Sequence, residues 1–156
     1  MPPLVAEMAA LFDSPIFHIG GDEADCKGVS DFEAAMIPFL ELLGYAVMGW
    51  SEIGGHATNS TIIQSWRSPN ASTLAAQGTF AVESAPGHLY LHGSAPSIGN
   101  RGKNGWFDMG LSEVPPSHRH YHLGGEAAVW TDAYCFINDC VRPGDGPVLV
   151  PGLEYL

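Results

Sequence analysis

The chain has 156 residues, of which 17 are acidic and 6 are basic, giving a formal net charge of −11. With 46% hydrophobic and 15% charged residues, it is expected to form one globular domain, residues 1–156, around a moderate core. The charge argues against nucleic acid and anionic membranes as partners, because both require clustered lysine and arginine. The longest apolar run, Ala34 to Trp50, is broken by Pro38 and Glu41 and is not expected to cross a bilayer. The N-terminus does not resemble a signal peptide, which leaves the compartment open.

Hydrophobic spacing predicts helices and strands that alternate along the chain. Helices are predicted over Met1–Phe12, Ser30–Leu43 and Ser72–Gln77. For the second helix, Ser30 or Asp31 can act as the N-cap, and Glu33 fits a capping box. Strands are predicted over Ile16–Gly20, Ala46–Gly49, Thr61–Ser65, Thr79–Ser84 and Glu126–Trp130, with a long irregular loop over His92–Ser117.

Alternation of strands and helices indicates an α/β fold with a parallel sheet. A complete (β/α)8 TIM barrel needs roughly 250 residues, and this chain supplies about five strands. Two architectures fit: an open sheet, or the C-terminal portion of a barrel, about strands 4 to 8. The second is favoured because the first residues read as the tail of a preceding helix. The chain is therefore expected to be a fragment that is inactive on its own.

The segment His18–Glu23, His-Ile-Gly-Gly-Asp-Glu, carries the clearest chemistry. In a regular strand Asp22 and Glu23 would point to opposite faces. The two preceding glycines tolerate dihedrals that a strand forbids, so the chain can turn both carboxylates toward one cavity. Two close carboxyl groups disfavour ionisation of both, so one can remain a proton donor near neutral pH. A glycosidase needs such a pair, although an exposed turn with two acids would read the same way.

Tryptophans follow the ends of three predicted strands, namely Trp50, Trp66 and Trp130. Core packing alone explains any one of them, since tryptophan is usually well buried. In parallel α/β barrels, however, the site is built from the C-terminal ends of several strands. Their shared position at strand ends is difficult to explain by core packing alone.

The ordered motifs resemble family-20 glycoside hydrolases, the β-N-acetylhexosaminidases. His18–Glu23 is similar to the strand-four signature of that family. Further segments in the same order are Gly49–Glu52, Gln64–Arg67, Ser84–Pro86 with Tyr90–His92, and Gly124–Asp132. The resemblance covers most of the chain. It implies hydrolysis of terminal non-reducing N-acetyl-D-hexosamine residues by a retaining mechanism in which the substrate's own acetamido group is the nucleophile.

The resemblance also implies roles for individual residues. Glu23 would be the general acid and base, and Asp22 would orient the acetamido group. Tyr90 would hydrogen-bond the acetamido carbonyl, and Asp132, where the family usually has glutamate, would hold sugar hydroxyls. His92 stands where a sugar-binding aspartate is expected, so it is a weaker candidate for substrate binding. The pocket walls would be Trp50, Trp66 and Trp130.

The expected partner is a carbohydrate, an N-acetylglucosaminide or N-acetylgalactosaminide, and the family needs no metal or other cofactor. One alternative is a non-catalytic sugar-binding or remnant protein, which the missing early strands and His92 motivate. Another is a metal-dependent hydrolase, because His118, His120 and His122 alternate along the chain and would share one strand face. The sequence leaves the exact hexosamine and the oligomeric state open.

Overall fold

The computed structural model describes residues 2–24, 26–89 and 109–128. Four of the predicted substrate-binding residues lie outside these ranges, namely Tyr90, His92, Trp130 and Asp132. No helix in the described part of the chain is long and apolar enough to span a bilayer.

Helices and strands alternate through the described residues, as the hydrophobic pattern predicts. The α-helices are α1 Pro2–Ala9, α2 Val29–Leu42, α3 Ala71–Ala76 and α4 Pro86–Leu89, and 3-10 helices cover Ser51–His56, Leu111–Glu113 and Pro116–Tyr121. The strands are β1 Ile16–His18, β2 Ala46–Trp50, β3 Ile62–Ser65, β4 Phe80–Glu83 and β5 His122–Gly125.

The five strands form one sheet in the order β1-β2-β3-β4-β5, and every neighbouring pair is parallel. Met48 is the Cα partner of His18 on one side and of Ile62 on the other, so the first three strands are closely in register. The predicted α/β class with a parallel sheet is therefore confirmed. The C-terminal ends of the five described strands lie at the same end of the sheet, which brings the segments after β1, β2 and β3 together.

The central strand β3 is buried along its whole length, as expected for a parallel strand covered on both faces. Its Ile63 packs with Val47 of β2 and with Ile37 and Leu40 of α2, and Ile53 completes this cluster. Each of these side chains is almost fully removed from water. Full burial of one aliphatic side chain contributes roughly 1.5–3 kcal/mol. The core therefore anchors α2 and the 3-10 helix Ser51–His56 beneath the C-terminal edge of the sheet.

The predicted capping of α2 by Ser30 or Asp31 is wrong. The helix begins one residue earlier, at Val29, and its N-cap is Gly28, with a φ of 93° and no side-chain hydrogen bond. Ser30 thus lies in the first turn, where its hydroxyl pairs with His56 Nε2 at 2.8 Å. Glu33 is buried within α2 and does not return to the cap.

The predicted start of the last strand, Glu126, is also wrong. The strand occupies His122–Gly125, directly after the 3-10 helix, and pairs with β4 through a register irregularity between Ala81 and Glu83. That irregularity accommodates two glycines at the strand end, which the apolar pattern could not reveal. Ala128 still donates its N–H to Leu89 O at 3.1 Å, and residues 129 and 130 lie outside the described ranges.

The end of α1, the residues after it and the edge strand β1 expose several apolar side chains. Leu11 is 76% and Phe12 62% exposed, and Ile16 of the edge strand β1 is also exposed. Unpaired edges and uncovered apolar surface both promote association between chains.

We expect the 156-residue chain to associate in solution. Size-exclusion chromatography with light scattering should give species larger than a monomer. Replacing Leu11 and Phe12 by serine should raise the monomeric fraction, because it removes exposed apolar surface. A monodisperse monomer at micromolar concentration for the unmodified chain would contradict this prediction.

Candidate active site

After β1 the chain stays paired to β2 through Ile19 and the first of two glycines, Gly20. Ile19 donates its N–H to Met48 O at 2.8 Å, and Trp50 donates its N–H to Gly20 O at 2.9 Å. The predicted strand Ile16–Gly20 is thus two residues longer than the regular part of β1, and its ladder ends opposite Trp50. The segment with Asp22 and Glu23 therefore starts beside the tryptophan that ends β2.

Close packing under the turn requires glycine at positions 21 and 49. Gly21 has a φ of 103°, and a Cβ atom there would stand 2.7 Å from Ile53 Cγ2. At Gly49 a Cβ atom would lie 2.9 Å from Gly20 O. Glu23 itself has a φ of 49°, which is uncommon outside glycine. Such strained backbone is held only where the surrounding structure determines it, and it is frequent at functional sites.

Glu23 points toward the end of β3. Its Oε1 accepts a hydrogen bond from Arg67 Nη2 at 2.6 Å, and the two side chains are 70% and 46% exposed respectively. A pair this exposed contributes little to stability, so an incoming ligand can displace it at small cost. Asp22 is exposed and makes no hydrogen bond or ion pair with any described residue.

Glu52 lies between the carboxylate turn and the second tryptophan. Its Oε2 accepts the indole N–H of Trp66 at 3.0 Å, and its Oε1 lies 3.3 Å from Arg67 Nη1. The same Oε1 accepts the backbone N–H of Glu23 at 3.4 Å. Arg67 in turn stacks on Trp66, with Cζ 3.9 Å from the ring centroid, a favourable cation–π arrangement.

Two of the predicted tryptophans form one half-buried aromatic wall. Trp50 and Trp66 meet edge to face, with ring centroids 6.3 Å apart. His18 continues the wall, because its ring centroid lies 5.9 Å from that of Trp50. Edge-to-face contacts hold aromatic rings in defined orientations. Trp130, the third predicted wall residue, lies outside the described residues.

Hydrogen bonds fix the orientation of His18. Gly20 donates its N–H to His18 Nδ1 at 3.0 Å, so Nδ1 is an acceptor. The other ring nitrogen, Nε2, lies 2.7 Å from Gln64 Oε1 and therefore carries the proton. His18 thereby joins the glycine turn to β3.

Ser51 links the ends of β2 and β3 at the backbone level. Its hydroxyl oxygen accepts the N–H of Trp66 at 3.1 Å and the N–H of Arg67 at 3.2 Å. These two N–H groups follow the last residue of β3, where the sheet no longer pairs them. The hydroxyl therefore fixes the direction in which Trp66 and Arg67 leave the sheet.

A cleft of about 570 Å³ opens beside Glu23. Its charged and titratable lining residues are Glu23, Glu33, Glu52, His56 and Arg67. Glu33 Oε1 is buried and has no hydrogen-bond partner among the described residues. A buried polar atom without a partner is unusual in a native fold.

The histidines do not line up as predicted. His118 and His120 belong to the 3-10 helix Pro116–Tyr121, and His122 begins β5, so the three do not share a strand face. His120 stacks on Tyr121 at 4.0 Å between centroids, and His122 Nε2 bonds Met109 O at 2.8 Å. Across the described residues, no group of three or more His, Cys, Asp and Glu side chains is placed to hold a metal ion.

The structure brings together Glu23, Trp50 and Trp66 and places Asp22 on the same turn. The sequence pattern assigns no role to Glu52 or Arg67, although both lie within the motifs Gly49–Glu52 and Gln64–Arg67. The signal for them is positional, because each stands two residues after a strand end and a tryptophan stands at or next to that end. His18 was likewise treated only as part of a signature, and its bonds to Gly20 and Gln64 appear only in the fold.

No protein-family model matches the chain. A β-hexosaminidase from Porphyromonas gingivalis is 27% identical over 83% of this chain, which spans about a fifth, 21%, of that relative's length. The resemblance to β-N-acetylhexosaminidases predicted from the motifs is thus confirmed.

Solved structures share the fold. A family-20 exo-β-N-acetylglucosaminidase from Vibrio harveyi, in complex with N-acetylglucosamine, superposes with a TM-score of 0.65 at 23% identity, over 88% of this chain and 27% of that one. An N-acetyl-β-hexosaminidase from Streptomyces plicatus, in complex with thio-NAglucal, gives a TM-score of 0.64 at 24% identity, over 84% and 30% of the two chains. The parallel sheet is therefore like a part of these larger enzymes.

Replacing Gly21 by alanine should destabilise the turn that carries Asp22 and Glu23. A positive φ costs an alanine ~1–2 kcal/mol, and the new Cβ must also displace Ile53. We expect a loss of about 2 kcal/mol in the free energy of unfolding, measured by urea denaturation. Gly54→Ala is the matched control, because a Cβ there meets no atom within 4 Å. Equal stability of the two variants would contradict the packing described for this turn.

Proposed function

We propose that this chain forms part of the catalytic domain of a family-20 β-N-acetylhexosaminidase. The reaction is hydrolysis of a terminal non-reducing N-acetyl-D-hexosamine from a β-N-acetylhexosaminide, with retention of the anomeric configuration. The observation that carries the proposal is the placement of the Asp22–Glu23 turn beside the Trp50–Trp66 wall, with Glu52 bonded to both.

In the first step, the carbonyl oxygen of the substrate's 2-acetamido group attacks the anomeric carbon and closes an oxazolinium ring, while the bond to the leaving oxygen breaks. Glu23 donates a proton to that oxygen, which becomes the hydroxyl of the departing group. In the second step, Glu23 accepts a proton from water as the water oxygen bonds the anomeric carbon. The oxazolinium ring opens and the acetamido group is restored. No protein nucleophile is needed, an exception to the two-carboxylate scheme.

Asp22 acts on the acetamido group. As an anion it orients the amide and stabilises the positive charge that develops as the oxazolinium ion forms. Its exposed side chain makes no competing bond in the described part of the chain. The indoles of Trp50 and Trp66 supply flat apolar surfaces against the sugar ring and the acetamido methyl group.

Glu23 must leave Arg67 before it can donate a proton to the leaving oxygen, because its Oε1 is bonded to the guanidinium. The pair is largely exposed, so the energy needed to open it is small. A substrate that binds beside Trp66, on which Arg67 stacks, would separate Glu23 from Arg67.

The fold relation supports a finer assignment of the strands. We propose that β1 to β5 are about strands 4 to 8 of a (β/α)8 barrel, in which sequential parallel strands are neighbours. The solved relatives are more than three times as long as the matched part. Tyr90, Trp130, Asp132 and His92 would complete the sugar site. The chain alone is expected to be inactive, since positioning requires the whole pocket.

A non-catalytic sugar-binding protein is the second candidate. The bond between Glu23 and Arg67 favours it, because it occupies the proposed acid in the absence of substrate. The enzyme would hydrolyse its substrate and the non-catalytic protein would not, whereas both would bind the sugar.

Replacing Glu23 by glutamine tests the acid role. The full-length protein should hydrolyse aryl N-acetyl-β-glucosaminides, and Glu23→Gln should lower kcat by about 10²-fold or more, the usual scale of general acid–base catalysis. Sugar affinity, measured by calorimetry, should change little. Glu41→Gln is the control, since Glu41 bonds Thr58 and Ser60 outside the site. Near-native turnover by Glu23→Gln would refute the assignment, and sugar binding without turnover by the unmodified protein would favour the second candidate.

Replacing Asp22 by asparagine tests the division of roles. Two aryl N-acetyl-β-glucosaminides are compared, one with a good and one with a poor leaving group. Loss of a general acid slows the poor leaving group more, because only that substrate depends strongly on protonation. Asp22→Asn should instead slow both substrates to a similar extent. If both variants show the same dependence on the leaving group, the two roles are assigned wrongly.

A further inference from the structure

We infer that Glu52 is a positioning residue for this reaction, holding the general acid's backbone and the pocket wall in one arrangement. The inference rests on the proposed function and adds to it a residue that acts through Glu23 and Trp66. Its basis is the set of bonds that one side chain makes to two separate parts of the site.

The two carboxylate oxygens of Glu52 serve different elements. Oε2 accepts the indole N–H of Trp66, at 3.0 Å. Oε1 faces two donors, the backbone N–H of Glu23 at 3.4 Å and Arg67 Nη1 at 3.3 Å. One oxygen therefore holds the sugar-facing wall and the other holds the catalytic turn. A shift of this carboxylate would move both.

Burial makes these bonds more effective than the exposed pair beside them. The Glu52 side chain is 24% exposed, whereas that of Glu23 is 70% exposed. Hydrogen bonds to a partly buried carboxylate are stronger than exposed ion pairs, because less water competes for the same groups. Of the two carboxylates that face Arg67, Glu52 is thus the fixed one and Glu23 the mobile one.

Arg67 gives Glu52 a second task. Its Nη2 bonds Glu23 and its Nη1 faces Glu52. When Glu23 takes up a proton for the first step, its attraction to Arg67 weakens, while the attraction between Glu52 and Arg67 persists. The guanidinium therefore stays over the Trp66 ring and does not follow the acid. Glu52 keeps the wall in place while Glu23 moves.

The test compares Glu52→Gln with Glu52→Ala in the full-length protein. Glutamine has the same shape, and its carbonyl oxygen can still accept from Trp66. Its NH2 group would then face the Glu23 N–H and Arg67, which are also donors, so the catalytic turn is displaced. We expect Glu52→Gln to lower kcat about 10- to 100-fold with KM nearly unchanged, in line with the cost of small misplacements.

Alanine removes both sets of bonds, so Glu52→Ala should lower kcat similarly and also raise KM. Glu41→Gln is the control, because Glu41 accepts two hydroxyl hydrogen bonds away from the site. A purely structural role predicts equal loss of stability and no separation of kcat from KM. Near-native kcat in both Glu52 variants would overturn the inference.

A second readout does not depend on activity. The indole N–H resonance of Trp66, assigned by its absence in Trp66→Phe, should exchange faster with solvent in Glu52→Ala and remain slow in Glu52→Gln and Glu41→Gln. Unchanged exchange in Glu52→Ala would overturn the inference even if the enzyme is active. If the unmodified protein hydrolyses no N-acetylhexosaminide, the proposed function fails, and the positioning role for hydrolysis falls with it.

Discussion

The parallel pairing of β1, β2 and β3 is the constraint on which the site depends. It brings the residues after three strands to one edge, so positions far apart in the chain become neighbours. Gly20 O receives the N–H of Trp50 at the last step of this ladder, and the chain then turns over Ile53 through Gly21. A Cβ atom at Gly49 would clash with Gly20 O of the neighbouring segment, and one at Gly21 would clash with Ile53. The position of Glu23 thus depends on the close spacing of the backbone beneath its turn.

Charge at this edge is arranged as a chain of alternating sign. Glu23, Arg67 and Glu52 form it, with the guanidinium between two carboxylates. The contribution of such exposed pairs to stability is small, so their value lies in geometry. Glu52 accepts hydrogen bonds from the indole of Trp66 and from the backbone of the turn, whereas the more exposed Glu23 can contact a ligand. In the proposed mechanism, this division would let Glu23 move while Glu52 and Trp66 stay in place.

Much of this arrangement could be predicted from the sequence, because it depends on local patterns. Apolar runs located β1 to β4, and the glycines before Asp22 marked the turn. What escaped prediction depends on tertiary contacts. Glu52 and Arg67 meet only because β2 and β3 are in register, which no local pattern encodes. The start of α2 differs from the prediction because Gly28 is a left-handed N-cap. The strand β5 differs because His122–Gly125 ends in two glycines, which break the apolar pattern of a strand.

The central claim is that Glu23 and the tryptophan wall serve a reaction in which the substrate's acetamido group is the nucleophile. Proton NMR of the sugar released in the first minutes of hydrolysis by the full-length protein tests this most directly. The account predicts that the β-anomer of the N-acetylhexosamine appears first and then mutarotates, because two successive displacements retain configuration. Initial release of the α-anomer would show a single displacement by water and would contradict the account.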